Sequence, residues 1–159
     1  MRWRIEVSDK LPQLSGLAQD IKDLGIDSVE SIFFSQLYFL EGDFSASQID
    51  RICSQLLADN ITQNYCFLDE RDKSFYAGCR IEVIFKDGVT DTVAENVFKG
   101  IADLDVSRRL APVSVQTGRQ YNFHFRSDQT SHQEKQYFLE VIATRLLANE
   151  VIESFDILI

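Results

Sequence analysis

One ten-residue segment of this chain has an echo further on, identical at its opening Leu-Leu-Ala and similar in pattern beyond it. Leu56-Leu57-Ala58-Asp59-Asn60-Ile61-Thr62-Gln63-Asn64-Tyr65 returns ninety positions later as Leu146-Leu147-Ala148-Asn149-Glu150-Val151-Ile152-Glu153-Ser154-Phe155. Near the front, Ile5-Glu6-Val7 returns 76 positions later as Ile81-Glu82-Val83, so the order is kept and the second copy carries about 14 further residues. An internal repeat constrains a fold strongly, because each copy has to build the same unit. Two homologous halves are expected, at 1–69 and 79–159, with 70–78 as the linker. The charge run Asp69-Glu-Arg-Asp-Lys-Ser74 reads as that solvated connection.

Each half parses alike. Trp3, Ile5 and Val7 alternate with polar neighbours, as do Cys79, Ile81, Val83 and Phe85, which is the period of a half-buried strand. Leu14, Leu17, Ala18, Ile21 and Leu24 then recur at helical spacing, matched by Val93, Val97, Ile101 and Leu104 after a Thr90-Asp91 cap. Paired apolar stretches follow, Val29 to Phe34 with Leu37 to Glu41, and Val113 to Val115 with Tyr121 to Phe125 joined across Gly118; both read as hairpins. Capping boxes Ser45-x-x-Gln48 and Ser131-x-x-Glu134 open a second helix in each half. Tyr65 to Leu68 and Phe155 to Ile159 close them as strands.

The expected fold class is therefore α+β, two tandem βαββαβ (ferredoxin-like) repeats with helices on one sheet face. A half of about 70 residues buries too little surface to be stable alone. The halves are expected to pack about a pseudo-twofold axis, as a covalently fused homodimer would.

Composition narrows the function. With 159 residues, 45% hydrophobic and 26% charged, the chain can build a core without disulfide or metal. Sixteen basic residues, scattered against 25 acidic ones, give a formal charge of −9, which argues against nucleic acid and an anionic membrane as partners. Apolar runs are far too short to span a bilayer, and the alternating N-terminus has no signal-peptide character, so a cytoplasmic location is expected. Cys53, Cys66 and Cys79 form no CxxC pair and are expected as reduced core thiols.

Chemistry-bearing motifs are sparse. His124 falls on the outward side of the strand Tyr121 to Arg126 and His132 in the polar first turn of a helix; neither has a ligand partner at metal spacing nor a counterpart in the first half. There is no G-x-S-x-G elbow and no phosphate-binding glycine loop. Asp87, Asp91, Asp103 and Asp105 stand where helix caps and loops want them. In Gln116-Thr-Gly-Arg-Gln120, Gly118 would permit a tight turn and Arg119 would project its forked donor into solvent.

The second half, through Ile81-Glu-Val-Ile-Phe-Lys-Asp-Gly-Val-Thr-Asp91, Val115-Gln-Thr-Gly-Arg-Gln-Tyr121 and Arg145-Leu-Leu-Ala-Asn-Glu-Val-Ile-Glu-Ser-Phe155, resembles the PurS family, the small subunit of phosphoribosylformylglycinamidine synthase. The first half resembles it more weakly, through Tyr38-Phe-Leu-Glu-Gly-Asp43 and Leu56 to Tyr65. Free family members are single-repeat proteins that dimerise, and the large single-chain synthetases carry two such repeats at the N-terminus. The resemblance leaves two forms open, a fused small subunit and an N-terminal piece of a longer synthetase.

It implies a place in the fourth step of purine synthesis, where ATP activates the amide oxygen of formylglycinamide ribonucleotide and ammonia from a glutaminase replaces it. The PurS-like part carries no catalytic residue in that scheme, binds no cofactor or metal, and joins the synthetase body, which uses ATP and Mg, to the glutaminase. The first half departs from the family pattern at Lys10 to Gly16 and has Ser35-Gln36 where the second has Gly118-Arg119, so an asymmetric partner surface is expected. Gly118, Arg119, Tyr121 and Asp91 are its candidate residues. A tandem ACT-like module sensing small molecules is the alternative on the same topology. A small enzyme with carboxylates or Tyr121 in the groove between halves is a third reading.

Overall fold

The computed structural model describes residues 2–12, 14–70, 78–104, 112–126 and 130–159. Asp105 and all but the ends of the expected linker lie outside them. Among the described residues the order is β1 (Arg2–Asp9), α1 (Ser15–Asp23), β2 (Val29–Gly42), α2 (Ala46–Ile52), β3 (Gln63–Asp69), β4 (Cys79–Phe85), α3 (Thr92–Leu104), β5 (Pro112–Phe125), α4 (His132–Ile142) and β6 (Glu153–Leu158). α2 and α4 each run on into a single π-helical turn, Cys53–Leu57 and Ala143–Leu147. The strands form one six-stranded sheet in the order β3-β1-β2-β5-β4-β6.

The two expected hairpins are absent. β2 and β5 are uninterrupted strands of 14 residues each, so the sheet has six strands rather than eight. Gly118 is not among the glycines with positive φ, which are Gly25, Gly78 and Gly88, so the backbone at 118 does not take the left-handed conformation that a two-residue hairpin turn demands. Ser35 is buried, Gln36 pairs in register with Val7, and the Gln36 side-chain amide donates to the Gly118 carbonyl at 2.8 Å. Polar residues that look like a turn are thus satisfied inside the sheet.

Two compact units emerge, and each draws on both sides of residue 78. One comprises Met1–Leu11, Ser35–Phe75 and Thr90–Gly118; the other comprises Pro12–Phe34, Tyr76–Val89 and Arg119–Ile159. In the first, Trp3, Ile5 and Val7 of β1 and Leu40 of β2 pack with Ile49, Ile52 and Cys53 and with Val97 and Ile101 of α3. In the second, Cys79, Ile81 and Val83 of β4 and Phe123 of β5 pack with Leu139 and Ile142 of α4 and with Ile21 of α1. The helix that follows β1 therefore serves the core around β4, and the helix that follows β4 serves the core around β1. Ile21 and Ile101 are the fully buried anchors of these exchanged helices, and burying such a side chain stabilises by about 1.5–3 kcal/mol.

Alternation holds in β1 and β4, and the helical stripes hold with local exceptions. Val93 is half exposed while Ala94 takes the core side of α3. Cys53 and Cys79 are buried as expected, but Cys66 is exposed. On β3 it is Tyr65 and Phe67 that reach the core, which turns Cys66 to the other face beside its register partner Glu6.

The connection from the second helix to the closing strand is built the same way in both places. Ala58 and Ala148 each donate to the carbonyl five residues back, at 2.9 Å. The Asp59 amide donates to the Gln63 side chain at 3.0 Å, and the Asn149 amide to the Glu153 side chain at 2.9 Å. Ile61 and Val151 each donate to the side chain two residues back, Asp59 and Asn149. Lys10 and Lys86 each send their ammonium to the next turn carbonyl, of Asn60 and Glu150.

Candidate functional site

The four candidate residues act first as fasteners. Asp91 precedes α3 and caps it, Oδ1 accepting from the Ala94 amide at 2.9 Å. Its Oδ2 accepts from the Thr117 amide at 2.9 Å, and the Thr117 hydroxyl lies within 3.0 Å of both carboxylate oxygens. One carboxylate thereby ties the start of α3 to β5 at a residue that is almost fully buried. Gly118 follows in the strand, buried, its carbonyl taken by Gln36.

Arg119 does not project into solvent. Without the hairpin its side chain stays beside the sheet, and Nη2 donates to the Leu147 carbonyl at 2.8 Å and to Glu153 Oε2 at 2.9 Å. Glu153 is 8% exposed, and its other oxygen holds the Asn149 amide. The pair therefore joins the end of the π-helical turn to the first residue of β6. Tyr121 lies half-buried two residues on, its ring tilted against Phe34 at 5.2 Å between centroids. Burial pushes its hydroxyl pKa up, Arg119 pulls it down and Glu153 adds to the rise. Arg119 and Tyr121 thus share one unit, and Asp91 and Gly118 the other.

Thr117, Gln36 and Glu153 complete these brackets and are not evident as functional positions from the sequence. Glu153 carries one signal, its alignment with Gln63 in the repeated segment: the two side chains accept the equivalent backbone amide, and only the charged one also holds an arginine.

Two of the cysteine thiols are held in their protonated form. Burial, with Asp50 adding to it, pushes the Cys53 thiol up to about 12. Although Cys66 meets solvent as a residue, desolvation of its thiol against the sheet and then Glu6, which receives the thiol hydrogen bond at 3.6 Å, push it up to about 11. A thiol so disfavoured as thiolate is a poor nucleophile. His124 is exposed, edge-on to Phe33 at 5.4 Å, and His132 is exposed in the first turn of α4. Among the described residues, no three of His, Cys, Asp and Glu converge in a way that could hold a metal ion, and no helix is long and apolar enough to cross a membrane.

A six-stranded antiparallel sheet with four helices, its singled-out polar side chains engaged in fastening elements together, defines a mixed α/β protein compatible with ferredoxin-like folds. The family model of PurS, described as phosphoribosylformylglycinamidine (FGAM) synthase, matches residues 78–159, just over half of the chain. The chain belongs to the PurS family, a component of FGAM synthase, the ligase complex of purine biosynthesis. No protein of curated function matches it.

Proposed function

We propose that this chain is a non-catalytic assembly component of FGAM synthase, built from two PurS-like repeats fused as a pseudo-twofold dimer, which joins the ATP-dependent synthetase body to the glutaminase supplying ammonia. The observation that carries this reading is the duplicated connection after the second helix. Residues 53–63, outside the family match, share with 143–153 inside it the same set of turn-closing backbone and side-chain hydrogen bonds. A chain with one such unit would need a second copy to complete each core, and here α1 and α3 supply the exchange within one polypeptide.

In this reading the chain binds no cofactor, and ATP and Mg are used by the synthetase body in the cytoplasm. Asp91, Gly118, Arg119 and Tyr121 act on the partner surface indirectly, by fixing the elements that form it. The two repeats have diverged around them, Gln36 and Gln63 standing where Arg119 and Glu153 stand, and so present different faces to the two partners.

The test is reconstitution with the catalytic body and glutaminase, comparing glutamine with free ammonia as nitrogen donor. The expected result is a glutamine-dependent rate that appears only when the chain is present, with a ternary complex under ATP and substrate. A full glutamine-dependent rate without the chain, or no association with either protein, would overturn the proposal.

A further inference from the structure

In the unit that contains it, α1 and the opening residues of β2 enclose a cleft of about 220 Å³. Its floor is aliphatic, from Ile21, Ile26 and Ile32, the first two of them buried. Its rim carries Lys22, Glu30 and Arg126. None of these three charged side chains has an ion pair or side-chain hydrogen bond among the described residues, although the chain as a whole is rich in carboxylates. A concave aliphatic floor with a few charged groups at its mouth is the usual form of a small-molecule site.

The volume corresponds to about seven water volumes of roughly 30 Å³ each. That suits a branched aliphatic body of about four or five carbons on the floor with a compact head group at the mouth. Two cations against one carboxylate leave the rim with one net positive charge, which selects a monoanionic head. The Arg126 guanidinium offers the planar fork that matches a carboxylate, with Lys22 as a second point charge.

We propose that this cleft binds a small aliphatic carboxylate, its branched body on Ile21, Ile26 and Ile32 and its carboxylate on Arg126 and Lys22. Two sources share that chemistry. A simple alkanoate leaves Glu30 in water, whereas an α-amino acid places its ammonium against it.

The experiment is a titration of the full chain, labelled at the isoleucine methyl groups, with 4-methylpentanoate, L-leucine and leucinamide, followed by NMR. The methyls of Ile21, Ile26 and Ile32 are expected to shift saturably with an acid and not with the amide, while those of Ile5 and Ile49 in the other unit stay still. Arg126→Gln, an exposed change that leaves the core intact, is expected to weaken binding at least about tenfold, the loss of a charge-assisted hydrogen bond. Tighter binding of leucine than of 4-methylpentanoate, abolished by Glu30→Gln, would support the site and assign it to an amino acid; the reverse order would support it and assign it to an alkanoate. No saturable shift with either acid up to about 20 mM, equal shifts with leucinamide, or unaltered affinity in the Lys22→Gln/Arg126→Gln double variant would overturn it. Because the readout needs no synthase activity, its failure is separate from failure of the assembly role.

Discussion

At the scale of single residues, the decisive groups are those that satisfy a buried neighbour. Asp91 serves the α3 amides and the nearly buried Thr117 at once, so Asp91→Ala removes a cap and leaves the Thr117 amide without its acceptor. A lost cap costs about 1 kcal/mol and an unsatisfied buried donor about 1–3. The expected destabilisation is about 2–4 kcal/mol in urea unfolding, with Asp91→Ser recovering only the cap; an unchanged midpoint would remove Asp91 from the fastening role. Cys53 makes a second prediction, in alkali. Its thiol titrates near 9.0 in the unfolded chain and is pushed up to about 12 in the fold by burial, so the folded state binds the extra proton between those values. Stability is intact below the unfolded value and falls as pH rises towards 12, by at most about 1.4 kcal/mol per pH unit from this group. Comparing the pH slope of the urea midpoint with that of Cys53→Ala isolates the contribution, and equal slopes from pH 9 to 12 would contradict it.

At the scale of elements, what local chemistry determines was legible in the sequence, and what distant partners determine was not. The Ser45 capping box is present in full, the Ser131 hydroxyl accepts from the Glu134 amide, and Asp91 caps α3, because an N-cap meets its partners within three residues. The alternation of β1 and β4 is equally local. Ser35-Gln36 and Thr117-Gly118, by contrast, read as turns, since their partners are remote: Gln36 finds Gly118 82 positions away and Thr117 finds Asp91 26 positions away. The same distance hid the work of Arg119, whose acceptors lie 28 and 34 positions on. That bracket predicts its own double-variant result. Arg119→Met strands the buried Glu153 carboxylate and is expected to cost about 1–3 kcal/mol, discounted because the arginine side chain is one-third exposed. Adding Glu153→Gln, which restores the amide found at position 63, should return most of that loss in the same unfolding measurement. A strictly additive second loss would mean that the pair does not act as a bracket.

At the scale of the whole molecule, each core is incomplete without a helix from the other side of residue 78. α3 brings Val97 and Ile101 to the core around β1, and α1 brings Ile21 and Ile26 near its end to the core around β4. Two buried aliphatic side chains contribute about 3–6 kcal/mol, a large share of the 5–15 kcal/mol by which a domain is stable. A chain of residues 1–77 or 78–159 made alone therefore keeps its strands and second helix but loses the covering helix, while its own first helix has no core to enter. Each half is expected to remain unfolded or to pair with a second copy of itself, and the two halves mixed are expected to form a one-to-one complex that unfolds in a single transition. Mass measurement with circular dichroism distinguishes these states. A folded monomer of 78–159 would show that the covering helix from the other side of residue 78 is dispensable.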